Sequence, residues 1–303
     1  MCKFDFISEV DGIRIDKYIS EKFKDYSRNF IQKLIDGCSI KVNGDIVKAS
    51  YKVKLDDMIE INIPEPEKLD VVPQNIDIEI VYEDSDIIVV NKPKNMVVHP
   101  APGNRDGTLV NALLAHCEGN LSNINGIIRP GIVHRIDKDT TGILVVAKNN
   151  YAHEKLSELF LTHNIKRKYI AIVCGVIKND TGKIDARIGR HPNDRKKMAI
   201  NLKNGRNAVT HFKVIERFKN ATLIEVTLET GRTHQIRVHM SSIGFPIMGD
   251  LVYGRKDDKY GLDSQVLHAK MLGFIHPRTG EYVEFDSNLP EYFDKLIKKL
   301  REE

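Results

Sequence analysis

The sequence predicts an α+β protein, in which a small αβ module precedes a larger domain with a mixed, largely antiparallel sheet and flanking helices. Two observations support this class. Near the N-terminus, apolar residues repeat with helical spacing and are followed by short strand patterns. From about residue 76 onward, many hairpin-compatible strands are interspersed with a few helices. The 303 residues leave room for about two such domains.

Composition narrows the class of protein. Hydrophobic residues make up 41% of the chain, which is ordinary for a folded domain. No apolar run approaches the roughly 20 residues of a membrane-spanning helix. The N-terminus lacks the apolar core of a signal peptide, so we expect no membrane partner and a cytoplasmic location. The four cysteines contain no CxxC pair, which favours neither a disulfide framework nor a zinc site.

The first predicted unit spans residues 12–63. It begins with two helices, the second of which has an N-cap at Ser27 and ends at Gly37. A hairpin on the Asn43-Gly44 turn follows, and a last strand over 59–63 closes the unit. Its length of about 50 residues lies near the lower limit for independent folding.

This unit resembles the S4 RNA-binding domain. The resemblance rests on Arg14-Ile15-Asp16-Lys17, Ser27-Arg28, Leu34-Ile35-Asp36-Gly37 and Val42-Asn43-Gly44. It implies that basic residues on the two helices contact RNA phosphates, which positions RNA without reading its sequence. These residues are Arg14, Lys17, Arg28 and Lys33. The alternative is an αβ packing unit with incidental surface charge.

A linker is predicted over 64–75, where three prolines and mixed charge oppose regular structure. The larger domain follows over 76–303. Strands are predicted at 78–82, 87–91, 143–147, 169–176, 209–218, 223–228, 266–274 and 282–285. Helices are predicted at 109–117, around 152–160, at 235–242 and from about 289 onward.

The densest motif lies in residues 131–148, where a charged, turn-like stretch sits between apolar strands. Such a loop can hold a carboxylate at the edge of a cleft. Asp137 lies between Arg135 and Lys138 and should stay ionised. One alternative is a surface turn capped by Asp139. Another is a metal-binding pair of Asp137 and Asp139 in a phosphoryl-transfer enzyme, for which no further carboxylates can be assigned.

Three motifs in order resemble those of the RluA-type pseudouridine synthases. They are His134-Arg135-Ile136-Asp137 followed by Thr140-Thr141-Gly142, the segment Arg167-Lys168-Tyr169, and the segment from Thr230 to Met240. Ile136 stands where the family usually has leucine, a volume-conserving change. Further similarity at Asn91-Lys92-Pro93, 97–104 and Gly249-Asp250 extends the resemblance over nearly the whole chain from about residue 12. Within this family, the sequence around 134–148, together with Gly103-Asn104 and the S4-like unit, is most similar to the D-type large-subunit ribosomal RNA enzymes.

The resemblance implies an isomerase that converts specific uridines of RNA to pseudouridine, expected in large-subunit (23S) ribosomal RNA. The N1–C1′ bond breaks, the uracil turns, and it rejoins through C5, after the uridine has left its stack. No cofactor and no metal are expected, because there is no redox change or net group transfer. A monomer acting on ribosomal RNA or an assembling subunit is expected. The alternatives are the same chemistry on tRNA and a non-catalytic ribosome-assembly factor.

The resemblance also implies roles for individual residues. Asp137 corresponds to the family's essential aspartate, Tyr169 to a tyrosine that stacks on the target base, and Arg237 to the arginine that pairs with the aspartate. Substrate binding is expected at Arg135, His134, Thr141 and Ile236. Arg135 would fill the space that the base vacates, whereas His134 looks like a general base but is expected to be a structural neighbour. Whether Asp137 attacks covalently or removes a sugar proton stays open.

Overall fold

The computed structural model describes residues 2–23, 28–63, 71–101, 103–124, 129–194, 197–254 and 259–303. The chain divides into two compact units, Met1–Lys68 and Leu69–Glu303. The predicted α+β class is confirmed. Ser27, predicted as an N-cap, and residues 64–70 of the predicted linker lie outside the described residues. In the described parts of the chain, no helix is long and apolar enough to cross a membrane.

The first unit combines two helices with a small sheet. Its elements are β1 (Cys2–Ile7), α1 (Ile15–Lys22), α2 (Arg28–Asp36), β2 (Ile40–Val42), β3 (Asp45–Ile46) and β4 (Met58–Ile63). The four strands are ordered β1-β4-β2-β3. The predicted hairpin is confirmed, since β2 and β3 are joined by Asn43 (φ 52°) and Gly44 (φ 85°), the two left-handed positions of a type I′ turn.

The sequence analysis missed β1, so the sheet begins at Cys2 and not within residues 12–63. This strand pairs antiparallel with β4 along its whole length. Its side chains Phe4 and Phe6 pack on Phe23 at ring-centroid distances of 5.1 and 5.6 Å. A single short strand whose partner lies far along the chain has little local signal, which explains why it was missed.

The second unit is built on one large sheet. Its strands are β5 (Glu79–Glu83), β6 (Ile87–Lys92), β7 (Thr141–Ala147), β8 (Lys166–Cys174), β9 (Thr181–Asp185), β10 (Ile188–Arg190), β11 (Met198–Ile200), β12 (Val209–Arg217), β13 (Ala221–Leu228), β14 (Leu267–Ile275) and β15 (Tyr282–Asp286). Its helices are α3 (Leu109–His116), α4 (Asn150–Leu161), α5 (Gln235–Ser242) and α6 (Glu291–Arg301). The predicted strands and helices are present within a few residues. Strands β9, β10 and β11 were not predicted.

The nine-stranded sheet has the order β5-β6-β7-β14-β8-β13-β12-β9, with β15 beside β14. Strands β7 and β14 pair in parallel, and the other described pairs in this sheet are antiparallel. The largely antiparallel prediction is therefore confirmed. Strands β10 and β11 form a separate two-stranded sheet.

Strand β7 lies inside the core, and all of its residues are buried. Successive side chains point to opposite faces of a strand. Leu144 therefore packs in the cluster that includes Leu109 of α3, whereas Val145 packs in the cluster that includes Leu156 of α4. Burial on both faces explains why this strand is a continuous apolar run. It also makes β7 a rigid support for the loop that precedes it.

Gly142 stands where β7 meets β14, opposite Ala269. Its φ of 115° is strained for other residues, and a Cβ there would collide with the backbone of Ala269. We expect Gly142→Ala to lower the free energy of unfolding by more than about 3 kcal/mol in urea denaturation. Gly280→Ala is the control, because Gly280 (φ 73°) has open space around its Cβ position and should cost about 1–2 kcal/mol. Equal losses would contradict the collision.

Candidate active site

Asp137 lies in the loop 131–140, which leads directly into β7. The start of this loop runs alongside β7, where Ile132 bridges Val146. Its end is closed by the Thr140 N–H, which donates to the Asp137 carbonyl oxygen at 3.1 Å. The Asp137 side chain keeps 18% of its surface exposed. The loop thus presents one partly exposed carboxylate on a rigid support.

Lys92, a buried residue at the end of β6, is hydrogen-bonded to the loop that contains Asp137. Its fully buried Nζ donates to the carbonyl oxygen of Lys138 at 2.8 Å and to two carbonyl oxygens in the segment after β6. Burial lowers the pKa of Lys92 to about 7, against the opposing charges of Asp139 and Asp137. Because one of these bonds joins β6 to the residue after Asp137 and the other two hold the Lys92 ammonium in place, Lys92 limits how far the Asp137 loop can move.

Arg237 of α5 connects two carboxylates. Its Nη1 donates to Asp137 Oδ2 at 3.0 Å. Its Nε and Nη2 donate to Asp250 Oδ2 at 2.7 Å and to Asp250 Oδ1 at 2.9 Å, a bidentate pair. Arg237 is 5% exposed and Asp250 1% exposed. The pair with Asp250 fixes the plane of the guanidinium, and that plane then fixes the orientation of Asp137.

Contact between Arg237 and Asp250 stabilises the charged forms of both groups. Burial by itself would lower the pKa of Arg237, but the bonds and charges of Asp250 and Asp137 raise it. Burial would raise the pKa of Asp250, but the bonds to Arg237 lower it. Arg237 and Asp250 are therefore held in their charged forms at neutral pH.

His234 completes the polar side of the site. It has a left-handed backbone (φ 57°) at the start of α5, and its Nε2 lies 3.8 Å from Asp137 Oδ1. Its Nδ1 lies 2.8 Å from the hydroxyl of Tyr253. Burial lowers the pKa of His234, although the charge of Asp137 opposes this. Tyr253 also places its ring 5.1 Å from the Arg237 guanidinium carbon, a cation–π contact.

Tyr169 of β8 faces the same cavity as Asp137. Burial raises the pKa of its phenol, and the negative charge of Asp137 raises it further, so the hydroxyl stays protonated at neutral pH. The cavity measures about 60 Å³. It is lined by Arg135, Ile136, Asp137, Thr140, Tyr169, Leu228, Arg232, His234, Gln235, Ile236, Arg237 and Leu267. A carboxylate, a phenol ring and a fixed arginine thus meet in one small recess.

The RNA pseudouridylate synthase family matches residues 86–242 of the chain. An RNA pseudouridine synthase of Bacillus subtilis is 54% identical over 288 residues, which cover 95% of this chain and 94% of that protein. The chain belongs to the RNA pseudouridine synthase family. The family predicted from the sequence is thereby confirmed, and isomerisation of uridine in RNA is the activity of this enzyme.

Further similarities extend over the whole synthase. The S4 domain matches residues 13–59, which confirms the second predicted resemblance. The ribosomal large subunit pseudouridine synthase D of Zymomonas mobilis is 48% identical over 302 residues, covering 96% of this chain and 95% of that one. The solved structure of human RNA pseudouridylate synthase domain containing 1 superposes with a TM-score of 0.59 and 26% identity, covering 78% of this chain and 98% of that one.

Most of the residues predicted for the site of this synthase meet at the cavity. The structure brings together Asp137, Tyr169, Arg237, Arg135 and Ile236. It does not do so for Thr141, whose buried hydroxyl lies 2.7 Å from His268 Nδ1. Its neighbour Thr140 lines the cavity instead, because adjacent residues at the start of β7 point in opposite directions.

His134 uses one ring nitrogen for a contact within the protein. Its Nε2 accepts a hydrogen bond from the Val145 N–H at 3.1 Å, and its ring stacks on Phe160 at 4.4 Å. Burial lowers the pKa of His134 to about 3, so the imidazole is neutral. These contacts are those of a structural neighbour, and substrate binding by His134 stays a prediction.

The four predicted RNA-binding residues of the S4 domain have different surroundings. Arg14 Nε lies 3.0 Å and Arg28 Nη2 2.9 Å from the fully buried carboxylate of Asp16. Both arginines therefore neutralise an internal charge, while about half of each side chain stays exposed. Lys17 and Lys33 are exposed. Phosphate contact by these four residues stays a prediction.

The sequence analysis missed the supporting residues Asp250, His234 and Lys92. Asp250 and Lys92 lay in segments that resembled the family, but no role followed from their types. The available signal was a lysine at the end of the apolar run of β6, where burial is expected and charge is not. The alternative metal-binding pair of Asp137 and Asp139 has no support, since no metal-binding group of three His, Cys, Asp or Glu occurs among the described residues.

The buried Asp250 gives a prediction on stability. We expect Asp250→Ala to lower the free energy of unfolding at pH 7 by about 3–5 kcal/mol, because Arg237 loses its buried bidentate partner. The folded-state pKa of Asp250 is lowered, so its contribution is complete above the unfolded-state pKa of about 3.9 and is lost as pH falls through the lower folded value. Urea denaturation at a series of pH values from about 2.5 to about 7 measures this loss of stability.

The matched control for that prediction is Asp286→Ala, which removes an exposed carboxylate that pairs with Lys270 at 3.0 Å. It should change stability little, since exposed ion pairs contribute little. If Asp250→Ala were as mild as Asp286→Ala at pH 7, the arginine would not depend on Asp250.

Proposed function

We propose that this synthase uses Asp137 as its catalytic carboxylate to isomerise uridines of large-subunit ribosomal RNA, as a monomer in the cytoplasm. The observation that carries the proposal is the Arg237–Asp137 contact of 3.0 Å at a cavity that Tyr169 also lines. Arg237 binds Oδ2, so Oδ1 is the oxygen available for the reaction. This arrangement supplies an oriented carboxylate, which both the covalent and the proton-removing routes require.

The reaction balances without any external reagent. The uridine N1–C1′ bond breaks, a C5–C1′ bond forms, the C5 proton leaves, and a proton is gained at N1. The flipped base costs a few kcal/mol of stacking. Stacking on the Tyr169 ring would return about 1–3 kcal/mol of this. Arg135 is exposed and lines the cavity. We expect its side chain to fill the gap that the base leaves.

Two observations support ribosomal RNA as the substrate. Relatives from Zymomonas mobilis and Haemophilus ducreyi, 48% and 43% identical, carry the name ribosomal large subunit pseudouridine synthase D. The S4 domain match adds a second RNA-binding part to the catalytic one. We propose that Lys17 and Lys33, with the exposed portions of Arg14 and Arg28, contact RNA phosphates there.

The substrate proposal predicts a specific loss of modification. In a strain without this gene, pseudouridine mapping should show sites missing from large-subunit ribosomal RNA, and the wild-type gene should restore them. Transfer RNA from the same cells is the internal control and should be unchanged. Sites missing from transfer RNA alone would assign the same chemistry to the other substrate.

The assignment of Asp137 predicts a difference between two neighbouring acids. We expect Asp137→Asn to lower the rate of tritium release from 5-tritiated uridine RNA by more than about 100-fold, because the amide can neither act as base nor attack as a carboxylate. Asp139→Asn is the matched control, with the same change two residues away, and should retain most of the activity. Equal losses for the two variants, or substantial release by Asp137→Asn, would refute the assignment.

A further inference from the structure

A wider cleft adjoins the catalytic cavity. It measures about 470 Å³ and shares Asp137, Tyr169 and Arg232 with the cavity. Beyond these shared residues, it is lined by Arg167 and His163. A base that enters the cavity would have its sugar and backbone in this cleft, because the two spaces share five lining residues, three of which are Asp137, Tyr169 and Arg232.

Arg167 of β8 is the unusual residue of the cleft. It precedes Tyr169 by two positions, so both side chains point to the same face of the strand, about 7 Å apart. Arg167 is 8% exposed, and its Nε is buried without a hydrogen-bond partner. Among the residues that the structure describes, no carboxylate forms an ion pair with it. A charged group lies nearly buried with no counter-charge.

The surroundings make this arrangement costly for the free protein. Burial lowers the pKa of Arg167, as does the like charge of Arg232 beside it, against the opposing influence of Tyr169. The Phe160 ring lies 6.0 Å from its guanidinium carbon, which supplies only a cation–π contact. Gly231 allows the guanidinium to lie there, since a Cβ at that position would come within 2.5 Å of Arg167 Nη1.

An arginine without a partner contrasts with the other buried arginine of this site. Arg237 has two carboxylates and serves the protein itself. Arg167 has none, although buried charges are generally paired. A planar guanidinium is suited to two-pronged binding of phosphate. RNA brings a phosphate with every nucleotide, so the strand that delivers a base to Tyr169 also delivers an anion to this cleft.

We propose that Arg167, assisted by Arg232, binds one backbone phosphate beside the flipped uridine. The phosphate supplies the counter-charge that the free protein lacks. The bond would hold the RNA strand at Arg167, which lies two residues before Tyr169 on β8. The flipped base would stack on the Tyr169 ring. This inference rests on the proposed placement of the uridine next to Asp137 and Tyr169.

The test measures binding by the full chain, with no turnover needed. The probe is an RNA of about 15 cytidines with one central uridine, a length that suits single-strand sites. Arg167→Met, which keeps similar volume without charge, should bind it at least 10-fold more weakly at low salt. The slope of log K against log salt should shrink by about 0.7, the value for one phosphate contact of a single strand. Lys298→Met, an exposed charge change on α6, is the control and should bind as wild type.

Chemical change of the RNA tests the same bond from the other side. A neutral methylphosphonate placed next to the uridine, on one side or the other, should weaken binding by wild type about as much as Arg167→Met does. The same probe should then bind wild type and Arg167→Met alike. Arg167→Lys should recover part of the affinity, because the charge remains without the fork.

Thermal melting of the free protein separates phosphate binding from a structural role. Arg167→Met should melt at the same or a higher temperature than wild type, since it removes a buried charge without a partner. A lower melting temperature, or unchanged affinity and salt slope, would overturn the inference. Because these measurements use binding and melting, an error in the assignment of Asp137 would appear only in the tritium assay, with the Arg167 effects intact.

Discussion

The guanidinium of Arg237 is the group on which the arrangement of the candidate active site depends. Two of its hydrogen bonds go to the buried carboxylate of Asp250. The third goes to Asp137, which is 100 positions away in the chain. A bidentate arginine has one plane, so Asp250 determines where the remaining nitrogen points. Burial makes each of these bonds stronger and makes each unpaired charge more costly. The carboxylate of Asp137 is therefore ordered before any RNA arrives.

The sheet supplies the second constraint. Asp137 precedes β7, Tyr169 lies on β8, and β14 lies between these two strands. The parallel contact of β7 with β14 is possible because Gly142 has no side chain. Lys92 then joins the Asp137 loop to β6 on the other side. Asp137 and Tyr169 are positioned by buried strands, which explains how a loop residue such as Asp137 can keep a defined place.

The buried and half-buried arginines of this protein fall into two groups, those that pair with carboxylates and Arg167, which does not among the described residues. Arg14 and Arg28 pair with the buried Asp16, and Arg237 pairs with Asp250 and Asp137. These pairs hold the protein together and are complete in its free form. Arg167 is buried with no carboxylate among the described residues, so its charge is available to an anion from outside. The same residue type thus serves folding where it is paired and substrate binding where it is not.

The sequence by itself determined the α+β class, most strands and helices of the second unit, and the segments that carry Asp137, Tyr169 and Arg237. These depend on local periodicity and on short motifs, which a chain displays without its fold. Only the tertiary structure decided that Asp250 holds Arg237 and that Lys92 holds the loop, because burial and pairing join distant residues. It also placed Thr140, and not Thr141, at the cavity, since one step along an extended chain reverses the direction of a side chain. Strand β1 belongs to the same group, because its pairing with β4 is a contact between opposite ends of a unit.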